Sequence, residues 1–162
     1  MVELSKAEKR RIGRPSAPRW ELDILAYNAA KNEVLVVECK SYLDSPGVRF
    51  LALARADHRR SDRYKLFNDT TLRGVIVRRL VRQLTESQLC RKGPAIRMCL
   101  AAGHVVSESD RRSISKHFRK RGWRLFDEAW IQDSLAKAAA RGYEDDLSSV
   151  VAKLLLRTES RR

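Results

Sequence analysis

The chain has 162 residues, and 34 lysines and arginines against 20 aspartates and glutamates give a formal net charge of +14. That length suits one domain (1–162) with a full core, and that charge points to a polyanionic partner, nucleic acid first, although a ribosome-associated protein or one bound to an anionic membrane surface has a similar balance. No apolar run approaches the roughly 20 residues of a membrane span, and the N-terminus lacks the apolar centre of a signal peptide. Cys39, Cys90 and Cys99 match no zinc spacing, so a reduced, cytoplasmic protein is expected.

Residues Val2 to Ile12 are polar and compatible with a helix. Gly13 to Arg19 carries two prolines and a glycine and reads as a loop. Arg14 and Arg19 stand at its ends, either within reach of phosphate or simply solvated. Two apolar runs follow, Trp20 to Tyr27 and Glu33 to Lys40, both rich in β-branched and aromatic residues. With a four-residue loop, Ala29 to Asn32, Asn28 pairs with Glu33 and Asp23 lies opposite Glu38. Opposed residues have Cβ atoms about 5 Å apart. Alternation places Glu21 on the face of Asp23 and Lys40 on the face of Glu38. Val34 to Val37 reads as a strand buried on both faces.

Two carboxylates so close, one of them continuing a buried strand, repel each other unless a proton or cation intervenes. Oxygen ligands suit Mg²⁺, which keeps waters for a substrate phosphate. An ammonium at Lys40 is placed to hold an attacking water or to stabilise phosphoryl oxygens. The plain alternative is two salt-bridged strands, with Lys40 pairing Glu38 or Glu21.

Asp23, fourteen intervening residues, then Glu38-Cys39-Lys40 resembles the PD-(D/E)xK nuclease superfamily, which includes restriction endonucleases and Holliday-junction resolvases. Leu22 stands where the name-giving proline would be. The resemblance implies Mg²⁺ (or Mn²⁺) held by Asp23, Glu38 and the Cys39 carbonyl, with Lys40 assisting the water. It also implies an auxiliary carboxylate on a helix ahead of the hairpin, for which Glu3 and Glu8 are candidates. Glu21 is a further auxiliary, and Gln83 or Gln88 would match a glutamine that some members carry.

Beyond Lys40, Pro46-Gly47 marks a turn. Val48 to Ala54 is apolar, either a third strand or the start of a helix. Arg55 to Lys65 interleaves bases with one aromatic; Arg59 and Arg60 are candidates for phosphate contact, or for an exposed charged loop. Asp69-Thr70-Thr71 caps a helix from about Leu72 to Leu89, with Leu72, Ile76, Val77, Leu80, Val81 and Leu84 at helical spacing. Ala95 to Gly103 reads as a buried, parallel strand. Ser107 to Asp110 opens a helix to about Arg121. Its Ile114 and Phe118 face inward, and Arg111, Arg112, Lys116, Arg119 and Lys120 make an outward basic face suited to a nucleic-acid backbone. Arg124 to Phe126 is a short strand. Asp127 caps a helix with Trp130, Ile131 and Leu135 inward, ending at Gly142. A last amphipathic helix starts at Glu144-Asp145-Asp146 and carries Leu147, Val150, Val151, Leu154 and Leu155.

His58, His104 and His117 are scattered and read as structural or solvated. Cys39 reads as a strand-packing residue, and Cys90 and Cys99 as core hydrophobes. No phosphate-binding glycine motif is present, so no NTPase is expected. The order of elements resembles the restriction-endonuclease-like α/β fold: an α-β-β-β-α-β core, a mixed central sheet flanked by helices, and extra C-terminal helices. A Mg²⁺-dependent nuclease cutting DNA phosphodiester bonds is the leading expectation, as a monomer or homodimer. A non-catalytic nucleic-acid-binding module on the same fold is the alternative.

Overall fold

Val34-Leu35-Val36-Val37 lies at the centre of the architecture. β-Branched side chains are stiff at χ1 and pack well on a pleated surface. The computed structural model, which describes residues 1–16, 19–42, 45–140 and 150–153, carries this run in strand β4 (Glu33–Lys40). Val34 and Val36 are 1% exposed on one face, and Val37 is buried on the other. The strand therefore lies inside a layered α/β structure, with four strands in the order β3-β4-β5-β6.

β3 (Ile24–Asn28) pairs antiparallel with β4, Asn28 opposite Glu33 and Ile24 opposite Val37. That is the expected register. Asn32 closes the loop with φ +46°, a left-handed conformation that asparagine tolerates. Its Oδ1 accepts a hydrogen bond from the Tyr27 hydroxyl at 2.9 Å. β5 (Ala95–Ala102) lies parallel to β4 with Lys40 beside Ala102, and β6 (Arg124–Phe126) is parallel to β5.

The first apolar run is not one strand. Arg19–Trp20 (β2) pairs with Val2–Glu3 (β1) in a separate two-stranded sheet, and the chain bends at residues 21–23 before β3. The bend has a local cause. The Asp23 carboxylate accepts the Cys39 amide proton at 2.6 Å, a donor that a ladder carbonyl would otherwise take. Glu21 thus lies outside any strand, and the alternation that put it on the face of Asp23 does not apply.

Among the described residues of 41–54 no third strand of the sheet forms. Val48 makes a single parallel bridge to Val105, and Phe50–Ala54 is helix α2, counted after α1 (Lys6–Arg11). Ala52 and Leu53 are buried on its inner side, and Asp110 Oδ1 accepts from the Phe50 amide at 2.8 Å at its start. Gly47, at φ +91°, allows the approach: a Cβ there would meet the His104 carbonyl oxygen at 2.9 Å.

A short 3₁₀ turn (Ser61–Tyr64) and α3 (Lys65–Asn68) lead to α4 (Thr70–Glu86). Its N-cap Asp69 accepts from the Leu72 amide at 2.9 Å, satisfying an orphan donor. Leu72, Val75, Ile76 and Leu80 bury its inner face in a core with Val34, Val36, Met98, Leu100, Ile114 and Phe118. α5 (Glu108–Lys120) links β5 to β6 and is capped by Ser107. Phe118 packs against Phe67 and Trp123 with ring centroids 5.3 and 5.4 Å away. Cys99 is buried, Cys90 is half-buried, and Cys39 is exposed rather than packed.

α6 (Glu128–Ala140) departs from expectation, since it has no buried residue. Trp130 is 50% and Leu135 42% exposed. The helix is held at its start instead. Asp127 caps it through the Trp130 amide, the Trp130 ring leans on Phe126 at 4.3 Å, and Arg111 bridges Asp127 and Glu128 at 2.6 and 3.0 Å. Those pairs draw Arg111 away from the outward basic face. Of the expected last helix, residues 150–153 are helical, with Val150 and Val151 exposed and Ala152 buried; Gly142, residues 144–147 and residues 154–155 lie outside the described residues. Among the described residues no helix is long and apolar enough to cross a membrane.

Candidate active site

The end of β4 brings the three expected residues together. Glu38 and Lys40 alternate onto the face of Val34 and Val36, which carries the core, so both are drawn in from solvent: their side chains are 15% and 20% exposed. Lys40 Nζ stands 3.4 Å from Glu38 Oε2. Asp23 stands in the bend just before the Ile24–Val37 pair, and its carboxylate is held at the end of β4 by the Cys39 amide. Burial pushes the Glu38 carboxyl above its ordinary range, and the Asp23 charge pushes it further. The Lys40 ammonium opposes both effects and does not cancel them.

The donor set fits a hard divalent cation. Two carboxylates face one ammonium, so the ionised site keeps a net negative charge that either a proton or a metal relieves. Asp23, Glu38 and the Cys39 carbonyl are the residues that would hold the ion. Among the described residues no cluster of three or more histidine, cysteine, aspartate or glutamate side chains forms. Oxygens from backbone, water or substrate must therefore complete any coordination shell, as is common for Mg²⁺.

No family model, curated protein or solved structure matches this chain.

The auxiliary candidates are occupied elsewhere. Glu8 closes a capping box with Ser5 and pairs with Arg79 on α4 at 2.6 Å. The Arg79 hydrogen bonds hold its carboxyl down at about 2. Gln83 Oε1 accepts from the Glu3 amide at 3.2 Å. Both tie the N-terminal segment to α4. Glu3 reaches Arg19 at 3.9 Å, and Glu21 is exposed.

The basic candidates separate into two groups. Arg14 lies over the Trp20 ring at 5.0 Å, and Arg112 pairs with Glu108 at 3.4 Å on α5. Lys116, Arg119 and Lys120 are exposed on the last turns of α5. Arg59 and Arg60, by contrast, line a cleft of about 420 Å³ with Tyr42, Arg49, Arg63 and Tyr64. The sequence reading did not single out Arg49, Arg63 and Tyr42, which line this cleft. The available signal was Tyr42 two positions after Lys40 and Arg63-Tyr64 within the basic loop. Nothing in the sequence showed that α2 would fold Arg49 back beside them.

Proposed function

We propose that the protein is a metal-dependent nuclease that hydrolyses phosphodiester bonds, DNA first, at the end of β4. The observation that carries this is the Asp23–Glu38–Lys40 arrangement: a carboxylate bonded to the Cys39 amide, a second carboxylate whose proton affinity burial and Asp23 raise, and a half-buried ammonium beside it. A bound Mg²⁺ or Mn²⁺ would supply a Lewis acid and an acidified water. Asp23, fixed by the Cys39 amide, presents its carboxylate without searching rotamers. Lys40 holds the water or the developing phosphoryl charge, where a fixed cation in a partly dry site acts more strongly than in bulk water. Glu38 is ionised once a cation offsets its burial.

Labelled plasmid, linear duplex, single-stranded and branched DNA incubated with Mg²⁺, Mn²⁺ or EDTA test this directly. Wild type should cut in metal and not in EDTA. Asp23→Ala, Glu38→Ala and Lys40→Ala should each lose at least about 100-fold in rate, the usual scale for removing one preorganised charged group. Wild-type activity in all three variants would refute the site.

The 3.4 Å Glu38–Lys40 ion pair favours a second reading, in which these side chains satisfy each other and the domain binds nucleic acid without cutting it. Titration calorimetry with Mn²⁺ separates the two. The nuclease binds the ion through Asp23 and loses it in Asp23→Ala, whereas the binding module gives no metal-dependent heat in either protein.

A further inference from the structure

Four arginines converge on one concave surface although the sequence scatters them. Arg49 comes from the residue before α2, and Arg59, Arg60 and Arg63 come from the loop and 3₁₀ turn that follow it. A second hollow of about 250 Å³ shares Arg49, Arg59 and Arg60 and adds His58. Among the described residues, Asp62 lines the cleft and pairs with Lys65 at 2.9 Å, and Asp57 pairs with Arg55 at 2.8 Å. Among the described residues no carboxylate pairs with Arg49, Arg59, Arg60 or Arg63. Four guanidinium groups against the one carboxylate among the described lining residues, Asp62, leave the cleft with excess positive charge, and an anion in the cleft relieves the repulsion among them.

The walls suit an extended anion. Tyr42 follows Lys40 by two residues, so the cleft adjoins the end of β4. The Tyr42 backbone is left-handed, at φ +45°, and its hydroxyl meets the Tyr64 hydroxyl at 2.9 Å. The Arg63 guanidinium lies 5.8 Å from the centre of the Tyr42 ring. Guanidinium forks match phosphate oxygens in a bidentate way that ammonium groups do not. A cleft of about 420 Å³ falls within the range of pockets that hold small organic ligands, roughly 300–1,000 Å³, so it exceeds the need of a bare phosphate.

We propose that this cleft grips consecutive phosphates of a nucleic-acid strand and leads that strand to the Asp23–Glu38–Lys40 site. The strand's fate rests on the nuclease reading; its capture does not. The test is binding without turnover: fluorescence anisotropy of a labelled single strand of about ten nucleotides, within the usual span of single-strand sites, in EDTA over a range of KCl. Arg59→Ala/Arg60→Ala should bind at least tenfold more weakly than wild type, with a salt slope shallower by about 1.4, or about 0.7 per lost phosphate contact. Arg59→Lys/Arg60→Lys should keep the slope and recover part of the affinity. Wild-type affinity and slope in the double-alanine protein would overturn the proposal. So would displacement of the oligonucleotide by an equal concentration of adenosine monophosphate, which would make the cleft a small-nucleotide pocket. With metal withheld, the two claims fail separately. Lost binding in the double-alanine protein, with no cutting by wild type in Mg²⁺, would sink the nuclease and keep the cleft. Metal-dependent cutting with unchanged binding would do the reverse.

Discussion

Glu38 is placed against its own solvation. Its carboxylate sits at the end of a buried strand, and burial together with Asp23 raises its proton affinity. A carboxyl whose folded pKa is raised takes up its proton more readily in the folded state. Its contribution to stability is therefore full below the unfolded value of 4.5 and is lost as pH rises through the folded value. Glu38→Gln, which mimics the protonated form, should melt higher than wild type at pH 7. The gap should close as pH falls through the carboxylate range, and cleavage should be lost throughout. Thermal melts from pH 4 to 8 read this out, and a lower melting temperature for the variant at pH 7 would mean that the Lys40 ion pair outweighs burial. Such a pattern, activity lost and stability gained, marks a functional carboxylate more sharply than lost activity alone. The meeting of Glu38 and Lys40 was legible in the sequence because strand parity puts both on one face of β4. The bend at residues 21–23 was not, because it depends on one side chain competing for one backbone amide.

α1 has only six residues and no buried side chain, too few to persist alone in water. Glu8 gives it a tertiary anchor through Arg79 on α4. Its carboxyl is held down at about 2, so this stability is present above 4.5 and is lost as pH falls toward 2. Glu8→Gln keeps a capping-box side chain and removes only the charge. It should cost about 1–2 kcal/mol at pH 7, toward the low end of the usual range for a charged hydrogen bond because both partners are partly solvated. Urea titrations at pH 7 and near pH 3 should show that cost shrinking with acidity. Further along the chain α6 is attached through Asp127, Arg111 and Trp130 and has no fully buried residue, with Ile131 only half-buried. Its amides should exchange with solvent well before those of β4 and β5, which hydrogen–deuterium exchange can rank. These two helices also show what patterning conveys and what it does not. Caps at Asp69, Ser107 and Asp127 are local chemistry and fall where the sequence puts them. Apolar spacing in α6 and in Val48–Ala54 says only that a segment has an oily side. Whether that side meets a partner, or whether the segment adds to the sheet, is decided by neighbours far along the chain.

At the scale of the molecule, the charge of +14 is less informative than its placement. The exposed basic turns of α5 looked in sequence like the natural contact for a nucleic-acid backbone. In the fold, Arg97 donates to the Gly122 carbonyl just beyond that helix, and Arg97 is level with Leu35 in the sheet register. Leu35 precedes Glu38 by three residues, about 10 Å along a strand. β6, which α5 feeds, lies two strands from β4, or about another 10 Å across the sheet. Ile114 and Phe118 hold the inner face of α5 against the core, so Lys116, Arg119 and Lys120 point away from it. A short strand seated in the arginine cleft therefore has no need to reach them, whereas a long duplex does. The triple variant Lys116→Ala/Arg119→Ala/Lys120→Ala should bind and cut an oligonucleotide of about ten residues within twofold of wild type. It should lose affinity for a long duplex, with a salt slope reduced by up to about 2.7, or about 0.9 for each of three released phosphate contacts. Parallel salt titrations on the two substrates read both effects. Loss on the short strand would place α5 within the cleft's own footprint. An unchanged slope on the long duplex would mean that this basic face is solvated, and that the arginines beside β4 supply the whole of the nucleic-acid contact.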